Sequence, residues 1–205
     1  MKIGLVLEGG GLRATYTIGV LDCLMDRHIS VDYVIGVSAG ACHGTSFVSR
    51  QRGRARRINN KYVSDPRYIS LGNLARTGSL FGMDFIFNTI PHQLEPFNYE
   101  DFFTNPCEFW TGVTDMETGL PAYFPKTALN HDTTVLQASS SLPLVGKPVA
   151  YQGRLYMDGG ISDPIPVARA LADGCDKLIV VLTRHRDYVK SPEGKRLAYK
   201  RIFRQ

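Results

Sequence analysis

This 205-residue chain contains no apolar run approaching the ~20 residues that a bilayer crossing requires. Cysteine is scarce. Its four copies (Cys23, Cys42, Cys107 and Cys175) are scattered, and none forms a C-x-x-C pair. That spacing argues against a zinc site and fits reduced thiols in a cytosolic protein. No His, Cys and Asp residues cluster at ligand spacing, so no metal or other cofactor is expected. Internal repeats and low-complexity segments are missing too. The aromatic residues are not interleaved with the arginines, which removes the stacking pattern expected of an RNA-binding surface. The N-terminal "MKIGLVLEGGG" holds one lysine and a short apolar run broken by Glu8 and glycines, so it reads as a first strand and not as a signal peptide.

What is present is an ordinary globular composition, 43% hydrophobic and 21% charged, long enough to bury a sizeable core. One domain over 1–205 is expected. The net charge is +5, with basic residues gathered in "RQRGRARR" (50–57) and from Arg184 onward. The plain reading is a solvated helix face. An anionic membrane surface is the alternative partner, and no nucleic acid is expected.

Residues 3–7 read as a buried strand followed by a turn of three glycines. Residues 12–27 place Ala14, Ile18, Leu21 and Leu24/Met25 on one helical face. A second strand (33–37) and a helix rich in small residues (39–50) complete a strand-helix-strand-helix pattern. That is the pattern of a parallel sheet covered by helices. A basic helix is expected at 53–63. The irregular stretch 65–105 is expected to hold short helices and a mobile surface element that covers the site. Residues 107–115 and 120–125 read as a hairpin, 132–140 as a helix, and 148–157 as a strand pair. A helix begins near Pro164 and closes at Gly174. "KLIVVL" (177–182) has the continuous apolar character of a central parallel strand. The final "PEGKRLAYKRIFRQ" starts like an amphipathic helix and stops, as a chain truncated at its C-terminus would.

Three elements carry chemistry. Gly36-Val37-Ser38-Ala39-Gly40 is a G-x-S-x-G motif between a predicted strand and a predicted helix, where a nucleophilic serine would sit on a tight turn. A serine capping the helix is the competing reading. Glu8-Gly9-Gly10-Gly11-Leu12-Arg13 leaves backbone N–H groups free to face an anion. It also matches a dinucleotide fingerprint, G-x-G-x-x-A. The second strand, however, ends in Ser38, where that fold wants an acidic residue, and Asp32 lies at the strand's start. The third element, Asp158-Gly159-Gly160, would expose a carboxylate at a sharp turn, though a plain hairpin turn uses the same residues. Ser38, Asp158 and His185 satisfy the order of an α/β-hydrolase triad. Only one strand precedes the serine, however, and nothing orients His185.

In this order the three motifs, with "ASSSLPL" (138–144) and "DPIPV" after Asp158-Gly159-Gly160, resemble the patatin-like phospholipase family. The resemblance covers residues 3 to about 184. Ala14 departs from it, standing where the family usually has glycine. It implies an α/β fold: a mainly parallel central sheet flanked by helices on both faces, in three α/β/α layers. Ser38 would be the nucleophile and Asp158 its base, with no catalytic histidine. The glycine loop (Gly9, Gly10, Gly11) and the Ala39 N–H would form the oxyanion hole, Gly10 and Gly11 being the main donors. Arg13 would hold that loop. Gly36, Gly40, Gly159 and Gly160 would support the turns. A lipid or acyl-ester substrate is implied. The protein would be cytoplasmic, with a face made of Arg50–Arg57 and the aromatic stretch 81–103 meeting the inner surface of an anionic membrane. An acyltransferase using the same dyad, or a lipid-binding protein that retained the fold without catalysis, are the alternatives.

Overall fold

A computed structural model of the chain describes residues 1–189; the amphipathic start expected in 192–205 lies outside them. Seven strands form one sheet in the order β5-β6-β3-β2-β1-β7, with β4 paired to β3. The strands are β1 (Ile3–Leu7), β2 (Tyr33–Val37), β3 (Glu108–Asp115), β4 (Pro121–Pro125), β5 (Val149–Tyr151), β6 (Arg154–Asp158) and β7 (Lys177–Val181). β7, β1, β2 and β3 run parallel, while β4, β6 and β5 add antiparallel pairings beyond β3.

Side chains alternate between two faces, as the pleat requires. Leu5, Leu7, Val34, Phe109 and Val113 enter one core. That core packs under α1 (Thr15–Asp26), α2 (Ala39–Val48), α5 (Tyr99–Thr104) and α6 (Thr134–Ser139). Val6, Tyr33 and Ile35 enter a smaller core on the opposite face with Ala170 of α7 (Val167–Ala172). Helices therefore lie on both faces of the sheet, unequally: α7 is the helix that packs into the second core. Arg169 of α7 stacks its guanidinium over Trp110 and Tyr123, at 4.7 and 5.1 Å.

β7 departs from expectation. Its apolar run suggested a central strand, but it ends the strand order among the described residues, and Val180 is exposed. The stretch expected as a cover holds α4 (Leu71–Thr77), a π-helix (Phe85–Leu94) and α5. Of its aromatic residues Phe85, Phe87 and Phe102 are buried, while Phe81, Phe97, Tyr99 and Phe103 are half-buried. The basic helix is α3 (Arg54–Tyr62), and most of its expected free charge is engaged. Arg52 pairs with Asp26 at 2.8 Å, Arg57 and Lys61 share Glu95 at 3.0 and 2.7 Å, and Arg54 is buried. No helix among the described residues is long and apolar enough to cross a membrane.

Candidate active site

The site begins with a register. β2 and β4 both pair with residues 110–112 of β3, so they lie on its opposite edges. β6 pairs with 113–115, which β4 overlaps, so β6 lies on the β2 edge. There Val37 faces Gly112 and Asp158 faces Val113. β2 and β6 thus end head to head on adjacent residues of one strand, and the residues leaving those ends are Ser38 and Gly159. Ser38 and Asp158, 120 positions apart in sequence, are brought together by one strand changing partners.

Ser38 leaves β2 with φ 56° and ψ −130°, a left-handed conformation that a non-glycine residue rarely adopts. It sits at the N-cap of α2, but its hydroxyl makes no capping hydrogen bond, which disposes of the capping reading. The turn closes because its flanks carry no side chains. A Cβ on Gly36 would lie 2.6 Å from the Ala41 nitrogen, and one on Gly40 would lie 2.5 Å from the Leu7 carbonyl oxygen.

A serine cluster holds both strand ends. The Ser38 N–H donates to Ser139 Oγ (2.7 Å), and the Ser139 hydroxyl donates to the Gly112 carbonyl (2.7 Å). The Asp158 N–H donates to the Ser141 carbonyl (3.0 Å). Ser139 and Ser141 are buried. They belong to "ASSSLPL" (138–144), which carries part of the family resemblance. Three consecutive serines at the end of a predicted helix were the available signal.

Asp158 is 1% exposed. Its Oδ1 accepts the Gly160 N–H at 2.7 Å. Oδ2 has no partner in hydrogen-bonding geometry, although the Ser38 hydroxyl is near enough to act on the carboxyl. Burial pushes the Asp158 pKa up to about 6. The Ser38 hydroxyl and the Gly160 N–H pull the other way and offset it only in part. Gly159 turns where a Cβ would meet the Gly112 carbonyl oxygen at 2.5 Å.

The glycine loop follows β1. The Gly9 N–H donates to the Pro164 carbonyl at 3.3 Å, so Gly9 is not the open donor it was expected to be. A Cβ at Gly9 would press on Ser38 Cβ at 3.3 Å, which assigns it to close approach instead. Among the described residues the Gly10, Gly11 and Ala39 N–H groups have no backbone acceptor. Gly11 has φ 54° and lies on the cavity wall beside Ser38 and Ala39. Arg13 does not hold the loop: its side chain is exposed and makes no hydrogen bond among the described residues. Thr183 does. Its hydroxyl lies 3.0 Å from Glu8 Oε2 and 3.2 Å from the Gly9 carbonyl oxygen, and its N–H donates to the same carboxylate.

Ser38 opens into a cavity of ≈ 160 Å³, walled mainly by apolar side chains that include Met83, Ile86, Phe87, Ile90 and Leu136. His185 does not line it and packs edge-on to Tyr188 instead. His43 is the histidine on the cavity wall. Burial pushes its pKa down to about 4, so it is neutral at physiological pH. Cys42 is also there, with its thiol pushed up to about 11 by burial, which keeps it from competing as a thiolate nucleophile. Among the described residues no three His, Cys, Asp or Glu side chains group as a metal site.

An α/β sheet carrying a strained serine, a buried carboxylate and a glycine loop at its strand ends defines a patatin-type α/β domain. The chain matches the patatin-like phospholipase family over residues 5–171 and belongs to it. Among curated relatives, YjjU of Escherichia coli K12, described as uncharacterized, is 33% identical over 89% of this chain and 52% of its own. Lysophospholipase nte1 of Aspergillus oryzae is 26% identical over 88% of this chain and 12% of its own length. Lysophospholipase NTE1 of Candida glabrata is 27% identical over 87% and 10%. The chain thus spans about half the length of YjjU and about a tenth of the two lysophospholipases.

Proposed function

We propose that this protein is a serine-dependent acyl ester hydrolase acting on lipids through Ser38 and Asp158. The observation that carries the reading is the meeting of β2 and β6, which sets an uncapped, strained serine against a buried carboxylate. Asp158 takes the hydroxyl proton as Ser38 Oγ attacks the ester carbonyl carbon. The carbonyl π-electrons move onto oxygen, facing the N–H groups of Gly10, Gly11 and Ala39. Collapse expels the alkoxide, which recovers the proton from Asp158, and leaves an acyl group on Ser38. A water molecule deprotonated by Asp158 then releases the carboxylic acid. A carboxylate with a pKa near 6 is a better proton acceptor than an ordinary aspartate and is still ionised at neutral pH. The apolar cavity at Ser38 suits an acyl chain, and relatives named lysophospholipases agree with a lipid substrate.

The test is a p-nitrophenyl ester series from acetate to palmitate, run on wild type, Ser38→Ala, Asp158→Asn, His43→Ala and His185→Ala. The expected outcome is a loss of at least about a thousandfold in the first two variants, with activity retained in both histidine variants. Folded His43→Ala or His185→Ala protein losing as much as Ser38→Ala would replace the dyad with a triad. Acyl transfer to an added alcohol in preference to water would make the protein a transferase.

A further inference from the structure

Among the described residues the cavity that holds Ser38 has one cation in its lining, Arg54, and that cation is buried to 6% exposure. Buried arginines ordinarily pair with a carboxylate; Arg54 makes no direct ion pair among the described residues, although the Glu95 carboxylate is near enough to favour its charge. Its Nε and Nη2 donate to the Glu95 backbone carbonyl at 3.1 and 2.8 Å, and Nη1 reaches Ser46 Oγ at 3.4 Å. The Phe97 ring lies 5.3 Å from the guanidinium carbon. The Glu95 carboxylate is already shared by Arg57 and Lys61, so three cations surround one anion. Asp132, the one carboxylate lining the cavity among the described residues, is exposed and makes no ion pair with Arg54. Five guanidinium N–H groups meet these three contacts, which leaves one hydrogen on Nη1 and one on Nη2 without an acceptor among the described residues. Burial already depresses the Arg54 pKa to about 10, a measure of how poorly the protein itself solvates this charge.

We propose that Arg54 is the anion-recognising residue of the cavity and receives the phosphate of a phosphate-bearing acyl ester. The inference rests on the acyl-hydrolase reading and extends it to which esters are preferred. Two open N–H groups on different nitrogens match two oxygens of one phosphate. The position fits as well. Arg54 bonds Ser46, which follows Ser38 by eight residues on α2, so the guanidinium lies about 12 Å along the helix from the nucleophile at ~1.5 Å per residue. That separation leaves several bonds between the scissile ester and the anionic group, and it disfavours small charged esters.

Binding separates this proposal from the catalytic one, because it can be read in the Ser38→Ala protein without turnover. Calorimetry would compare dodecyl phosphate with neutral monolaurin, and both with inorganic phosphate, in Ser38→Ala and Ser38→Ala/Arg54→Gln. Arg54→Gln is expected to weaken dodecyl phosphate roughly 10- to 100-fold and to leave monolaurin within about twofold. Equal weakening of both ligands would reduce Arg54 to a strut between α3 and the π-helix and overturn the proposal. No weakening of either would also overturn it. Inorganic phosphate binding as tightly as dodecyl phosphate would assign the site to a free anion and not to a lipid. If Arg54→Gln does not fold, Arg54→Lys carries the comparison: it keeps the charge, loses the fork, and should weaken dodecyl phosphate selectively. Wild-type turnover of lysophosphatidate and monoacylglycerol at equal kcat/KM would count against Arg54 while leaving the hydrolase reading intact; turnover of neither, with selective dodecyl phosphate binding retained, would do the reverse.

Discussion

Ser38 stores strain that the fold does not need. A left-handed non-glycine residue is destabilised by ~1–3 kcal/mol. Replacing it with glycine should therefore raise stability by about 1 kcal/mol or more in denaturant melts while abolishing hydrolysis. Asp158 gives a second prediction, in pH. Its folded pKa of about 6 lies above its value near 3.9 in the unfolded chain. Between about pH 4 and 6 the folded state holds the extra proton, so stability falls as pH rises through that window. The penalty reaches roughly 3 kcal/mol above it. Asp158→Asn should therefore melt higher than wild type at pH 8 and close to it at pH 4. In wild type, kcat/KM should climb with pH about an apparent pKa near 6, since only the ionised carboxylate accepts the serine proton. A profile flat from pH 5 to 8 would remove Asp158 as the base.

At the scale of elements, α6 and its serines matter more than the motif residues suggest. Ser139 accepts the Ser38 N–H and donates to Gly112, tying the end of β2 to β3 where β6 takes over. Ser139→Ala leaves a buried donor and a buried acceptor unmet, a loss of about 1–3 kcal/mol per group. Chemical denaturation should register that loss, and kcat should fall because the backbone under the nucleophile loosens. A variant with unchanged kcat would mean that the strained turn is held by Gly36 and Gly40 alone. Much of this level was readable in advance. β1, α1, β2 and α2 follow from period-2 and period-3.6 spacing and from glycines at the turns. The hairpin of β3 and β4 and the basic α3 were legible for the same reason. Which aromatics of the stretch 81–103 are buried was not, because a run of Phe and Pro has no period that marks its inner side.

For the molecule as a whole, the cavity is the product of several layers meeting. The π-helix, α2, α3 and α6 each supply a wall, and no single segment encloses it. Ile90, at 1% exposure, packs from the π-helix side. Ile90→Ala should lower stability by about 2–4 kcal/mol and shift the preferred ester toward longer acyl chains, measured across the p-nitrophenyl series. A stability loss with no shift in chain length would place the acyl chain elsewhere.

Local chemistry by itself determined the strand and helix order and the family resemblance, and it pointed to Ser38 and Asp158 as the proposed dyad. Short-range patterns carry these, because glycine at a turn and apolar alternation in a strand act over a few residues. The tertiary structure decided what depends on register and burial. Among the described residues it placed β7 at the end of the strand order, filled the Gly9 N–H with the Pro164 carbonyl, gave the loop to Thr183 and Glu8 in place of Arg13, and drew Arg54 inward without a direct ion pair. Those outcomes are set by which distant segments share an edge or a cavity, and no local period encodes that.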